Sequence, residues 1–190
     1  MAGGKKNAQQ QGAVIVFADE SGLSQRPPIR RTWARKGQTP VLSHSFSWHK
    51  LSMNAALVYR WDGTPVNLFF EIIPGSYNQH RLVDFLDSLR RELRNRPMIL
   101  VWDGLPAHKT NIVKDYLDEH PNIAVVPLPP YSPHMNPAEF LWSNIKGREL
   151  ANYVPDGLDD LCRQACSGIK RVFNAPSLLK GFVRAAKLRF

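Results

Sequence analysis

A chain of 190 residues and 21.6 kDa, with 43% apolar and 22% charged side chains, has the composition of a folded domain, which excludes a disordered tail or a fibre. Its longest apolar runs, residues 13–18 and 98–102, fall far short of the ~20 residues of a bilayer span, and MAGGKKNAQQQG offers no apolar stretch for a secretory leader. The net charge of +9 is unevenly spread: residues 20–60 carry +6, residues 61–139 carry −3 and residues 140–190 carry +5.

In chain order, residues 1–12 read as a flexible tail, residues 13–150 as the main domain and residues 151–190 as helices packed on it or extending it. AVIVFADES predicts a buried strand that runs out at Asp19, Glu20 and Ser21. Residues 26–48, rich in Arg, Pro, Gly and Ser, predict a loop with a short extended segment. Residues 51–60 and 66–73, joined across Asp62 and Gly63, predict a β-hairpin with a somewhat longer loop. Leu82, Phe85, Leu86, Leu89 and Leu93 recur at helical spacing within residues 78–94. MILVWD follows Pro97 as a second buried strand ending in an aspartate. Residues 111–119 then read as a helix and residues 123–128 as a strand. PLPPYSPHMNP leads into a helix from Ala138 to about Leu150, and one or two helices follow from Asp156. Cys162 and Cys166 fall on one helix face. Two cysteines build neither a disulfide framework nor a zinc site, which suits a reducing, cytosolic compartment.

Strands followed by alternating helices and strands predict an α/β or mixed α+β domain around a mixed sheet. Ligands of such sheets gather beyond the carboxyl ends of the strands. Asp19 and Asp103 both stand there, and in neighbouring strands they would face one crevice. Two close carboxylates repel unless a proton or a metal neutralises them, and Mg²⁺ takes oxygen ligands together with substrate phosphates. Between two basic flanks, which favour a polyanion, that crevice points to metal-assisted phosphodiester chemistry. Glu139 offers a third carboxylate. The same residues have a plainer reading: aspartates start turns, and Asn136-Pro137-Ala138-Glu139 is a good helix start with Glu139 reaching back in a capping box.

Other side chains carry smaller expectations. His108, five residues beyond Asp103, is close enough to assist by touching a phosphate or the attacking water, or else is structural. Glu20 should point away from Asp19 and serve structure. Arg31, Trp33, Arg35 and Lys36 would contact DNA backbone or stack on a base; the alternative is a surface loop with a buried tryptophan. Lys146 and Arg148, beyond Glu139 on its helix, would reach phosphates or form a solvated face.

Taken together, VIVFADESGLS, RTWARKGQTPVL, ILVWDGLPAHK and LPPYSPHMNPAEFLWSNIK resemble the catalytic domain of DDE transposases, in the bacterial insertion-sequence and mariner-type superfamily. The resemblance implies an RNase H-like fold with a central, mixed five-stranded sheet flanked by helices. It implies that Asp19, Asp103 and Glu139 are both the catalytic triad and the ligands of two Mg²⁺ or Mn²⁺ ions, ~3.5–4 Å apart. It also implies cleavage of double-stranded DNA at transposon ends, strand transfer into target DNA, a homodimer assembled on DNA, and a bacterial, nucleoid-associated location in the cytoplasm. Two departures stand out. Gly104 occupies the position where the family commonly has Asn, and the interval from Asp103 to Glu139 is one residue longer than usual. The helix-turn-helix DNA-binding region that precedes the family's catalytic core is not in this chain, which reads as the catalytic half alone. The other functions in view are an RNase H-like nuclease or resolvase without strand transfer, and a non-catalytic DNA-binding transposon remnant.

Overall fold

The computed structural model describes residues 12–44 and 49–188; the expected tail lies outside them except for Gly12, as do residues 45–48 of the expected loop. Five strands form one sheet: β1 (Val14–Ser24), β2 (Lys50–Tyr59), β3 (Pro65–Pro74), β4 (Met98–Trp102) and β5 (Ile123–Pro127). Their order is β3-β2-β1-β4-β5. The hairpin strands pair antiparallel with each other, and β2 does so with β1, whereas β4 runs parallel to both β1 and β5. This is the mixed, five-stranded, RNase H-like sheet that the motifs imply. Among the described residues, five α-helices flank the sheet: α1 (Gln79–Glu92), α2 (Asn111–Glu119), α3 (Pro137–Arg148), α4 (Gly157–Phe173) and α5 (Pro176–Ala185). None of them is long and apolar enough to cross a membrane.

Strand side chains alternate between faces, so residue parity sorts the core into two layers. Odd-numbered Ile15, Phe17, Ile99 and Val101 pack with Leu141 and Ile145 of α3, Ile169 of α4 and Phe182 of α5. Even-numbered Val14, Val16, Ala18 and Leu100 pack with Leu82, Phe85, Leu86 and Leu89 of α1. Burial on both faces explains why β1 and β4 read as unbroken apolar runs instead of alternating ones. The last two helices lie in the same core as α3, and the Tyr59 hydroxyl donates to the Leu179 carbonyl of α5 at 3.0 Å.

One strand differs from its expected extent. β1 does not run out at Asp19 but continues to Ser24, because β2 pairs with it from Ile15↔Tyr59 to Ser24↔Lys50. Backbone pairing carries a strand through polar residues whose own pattern would end it.

Candidate active site

The parallel register of β1 and β4 sets the first two carboxylates side by side. Phe17 is level with Val101, so Asp19 and Asp103, each two residues further on, reach the same height and the same face. β4 ends at Trp102, whereas Asp19 remains within the β1–β2 ladder. The third carboxylate comes from the first turn of α3. Asn136 caps that helix by accepting from the Ala138 amide at 3.1 Å, and its Nδ2 donates to the Ala18 carbonyl at 3.3 Å. The cap therefore ties the helix start to the strand residue next to Asp19. The capping-box expectation fails in one respect: the Asn136 amide donates to the Pro133 carbonyl at 2.9 Å. The Glu139 side chain instead lines the cleft, with Asp19 and Asp103.

That cleft has a volume of about 870 Å³ and is walled by the Pro127–Pro133 segment and by Gly104, Leu105 and Lys109. Lys109 Nζ is 3.2 Å from where a side chain at position 104 would begin, so Gly104 leaves room for this cation beside the carboxylates. The pKa of Asp19 is pushed up to about 7. Burial is the main cause and the Glu139 charge the next; a hydrogen bond from Trp142 opposes them, and Glu20 and Asp103 add to the rise. That bond runs from Trp142 Nε1 to Asp19 Oδ2 at 2.8 Å.

Among the described residues, no three His, Cys, Asp or Glu side chains already form a metal-holding group. The donor chemistry nevertheless fits a hard divalent cation. All three groups are carboxylates, Asp19 is held partly out of water against like charge, and Mg²⁺ ordinarily takes one or two carboxylates plus waters and phosphate oxygens.

The remaining expected residues separate clearly. His108 does not face the cleft: it is buried, with Nδ1 at 3.0 Å from the Asp103 carbonyl oxygen and Nε2 at 3.2 Å from Glu20 Oε1. Both nitrogens are thus engaged within the protein, which leaves neither to meet a phosphate or a water in the cleft. Burial works to lower its pKa, but the bonds and charges of Glu20 and Asp103 prevail and raise it. Lys146 is not on a solvated face; its Nζ donates to Ser21 Oγ at 2.7 Å. Burial lowers its pKa, against the charges of Glu139 and Asp19. Arg148 is largely exposed, 3.6 Å from Glu149. Arg31, Trp33, Arg35 and Lys36 lie on an exposed arm, and Trp33 is 100% exposed, contrary to the buried-tryptophan alternative. Asn152 anchors the arm: its side chain accepts from the Arg30 amide at 2.8 Å and donates to the Arg30 carbonyl at 2.9 Å.

Residue-by-residue reading of the sequence misses Trp142, Lys109 and the strand tie made by Asn136. Trp142 has a usable signal, since its i+3 spacing from Glu139 puts both on one face of α3. Lys109 and Asn136 have none, because their partners are set by the fold.

A sequence profile described as DDE superfamily endonuclease matches residues 14–162. No curated protein matches the chain. Among solved structures, the Mos1 strand transfer complex aligns with TM-score 0.58 and 21% identity over 93% of this chain and 55% of that one. The mariner Mos1 paired end complex with Mg aligns with TM-score 0.58 and 19% identity, over 98% of this chain and 60% of the other. The catalytic domain of Mos1 mariner transposase aligns with TM-score 0.53 and 19% identity, over 98% and 89%. At these identities the likeness is one of fold, and this chain spans little more than half the length of the chains in the strand transfer and paired end complexes.

Proposed function

Since this chain belongs to the DDE superfamily endonucleases, we propose that it is the catalytic domain of a transposase that cleaves double-stranded DNA at transposon ends and joins the freed 3′ ends to target DNA. The observation that carries this reading is the meeting of Asp19, Asp103 and Glu139 in one cleft of a basic protein. When bound, two Mg²⁺ or Mn²⁺ ions supply an activated water for in-line attack and stabilise the leaving 3′ oxygen. Asp19, Asp103 and Glu139, which line the cleft together, would hold them. Trp142 fixes the rotation of the Asp19 carboxylate by binding Oδ2. Lys109, beside Gly104, is placed to meet a phosphate of the strand being cut. The arm with Arg31, Trp33, Arg35 and Lys36, together with Arg148 and Lys146, extends the contact to flanking backbone.

The reading also includes a homodimer on DNA, a helix-turn-helix DNA-binding region outside these 190 residues, and a place of action at the bacterial nucleoid. The likeness to the Mos1 strand transfer and paired end complexes supports the DNA part of it. The test is a plasmid-nicking and oligonucleotide strand-transfer assay with Mg²⁺, comparing wild type with Asp103→Asn. Both steps are expected in the wild type and neither in the variant, with melting temperature and DNA affinity retained. Nicking without joining would leave a nuclease, and full activity of Asp103→Asn would remove that residue from the site.

A further inference from the structure

We infer that His108 is a positioning residue that aims the Asp103 carboxylate into the cleft, and that Glu20, on the opposite face of the sheet, fixes the ring for that task. The inference rests on the metal-dependent reading of the cleft and concerns two residues to which that reading assigns no role. Asp19 is held by the strand ladder and Glu139 by a capped helix. Asp103 has neither support, because β4 ends one residue before it. Its orientation depends on side-chain contacts.

Those contacts all fall on one oxygen. Asp103 Oδ1 accepts from the Leu105 amide at 3.1 Å and lies 3.1 Å from His108 Nδ1, which shares itself between that oxygen and the Asp103 carbonyl oxygen at 3.0 Å, so the ring holds the residue by backbone and side chain together. With Oδ1 committed to the protein, Oδ2 is the oxygen left for the cleft. The imidazole is itself over-determined. It stacks on Trp102 with centroids 3.9 Å apart and planes 6° from parallel, which fixes its tilt. Glu20 Oε1, 3.2 Å from Nε2, fixes its rotation in that plane, so Nδ1 can point only at Asp103. Asn54 Nδ2 steadies the same Glu20 oxygen from 3.4 Å, while Glu20 Oε2 is buried with no hydrogen-bond partner. A carboxylate kept there with an unpartnered oxygen is costly, and an apolar side chain would pack as well. Orientation of the ring gives it a purpose.

Two substitutions separate positioning from packing. The Asn amide nitrogen stands near the place of imidazole Nδ1, and the Gln amide nitrogen near that of Nε2. His108→Asn therefore keeps the link to Asp103 and loses the one to Glu20, whereas His108→Gln does the reverse. Both lose the stack on Trp102, so a purely structural role predicts equal effects. The readout is Mn²⁺ affinity of the whole chain without DNA, from the electron paramagnetic resonance signal of free Mn²⁺, beside thermal melts. His108→Gln is expected to weaken Mn²⁺ binding by ~10–100-fold, the usual effect of losing a partner that orients a ligand, and His108→Asn by clearly less, since it keeps the link to Asp103 and loses only its support. Equal losses, no loss in either, or a larger loss in the Asn variant would overturn the inference.

If either variant does not fold, Glu20→Gln against Glu20→Ala carries the same test. Gln keeps an acceptor for the ring and should retain affinity, Ala should lose it, and equal affinity in the two would overturn the inference. Wild type and Asp103→Asn calibrate the measurement. A wild type that holds no Mn²⁺, or an Asp103→Asn that holds it equally well, would bring down the metal reading and the inference together. A normal wild type and a defective Asp103→Asn, beside indifferent His108 variants, would overturn the inference alone.

Discussion

The floor of the cleft and the basic arm are held by opposite means. Asp19 sits in a ladder that pairs β1 with β2 over ten positions, above a core of buried side chains. The arm, residues 25–44, is almost wholly exposed; Pro27 is its one buried side chain. Asn152 anchors it, through the two bonds to Arg30 and a third from its own amide to the Pro28 carbonyl at 3.0 Å. The difference teaches where precision is needed. On the proposed reading, the carboxylates that would share ions stand in a strand ladder, just past a strand end and on a capped helix, whereas the basic groups that would follow a polyanion are carried on an exposed segment.

The hardest test of that contrast strikes the floor. Replacing Asp19 or Glu139 by its amide should cut Mg²⁺-dependent cleavage by about a thousandfold or more, because a neutral amide is a poor ligand for a hard dication. Nicking rates with folding checked by circular dichroism decide it; retention of even a tenth of the activity would show that the floor tolerates the loss of a carboxylate.

A smaller effect sharpens the same point through pH. The Asp19 pKa is raised to about 7 from 3.8, so between those values the native protein holds a proton that the unfolded chain has released. The contribution to stability is complete below the unfolded value and lost as pH rises through the folded one. Asp19→Asn, which never ionises, should therefore gain on wild type from about pH 4 to about pH 7 and level off above, by on the order of a few kcal/mol. Added Mg²⁺ should close the gap by stabilising the wild type alone. Urea melts at a series of pH values measure both.

Trp142→Phe keeps the ring and removes the donor to Asp19 Oδ2. Activity is expected to fall by about tenfold with little change in DNA affinity, since the carboxylate stays in place but loses its fixed rotation. A loss of DNA affinity matching the loss of rate would mean that the tryptophan serves packing only.

The arm should answer through binding instead of rate. Arg35→Ala and Lys36→Ala are expected to weaken binding to all duplexes alike and to flatten the log–log salt dependence by about one unit each, with cleavage at saturating DNA unchanged. Asn152→Ala should cost about 1 kcal/mol in stability while speeding amide exchange in residues 26–38, leaving the sheet amides protected. Arm and floor exchanging together in that variant would break the comparison altogether.

Much of the architecture is legible in the sequence because it is local. The helix Asn111–Glu119, the hairpin over β2 and β3, and the strand Met98–Trp102 all declare themselves through apolar spacing and flanking turn residues. The three carboxylates can be named from strand-end position and motif. Their meeting cannot, since it depends on a register that joins β1 to β4 across more than eighty residues and on a cap that joins Asn136 to Ala18. The full extent of β1 is hidden because its polar half is carried by β2, not by its own pattern. Glu139 has the spacing of a capping side chain, yet the Pro133 carbonyl takes the bond that a capping box would have used.

His108 and Trp33 make the division plain. In the sequence each is a lone ring in a polar loop; in the fold one is sealed between two carboxylates and the other stands in solvent. Periodicity reports only whether a residue belongs to a strand or a helix and which way it faces. Which distant group it meets is set by the packing of whole elements, and burial, pKa and hydrogen bonding follow from that meeting.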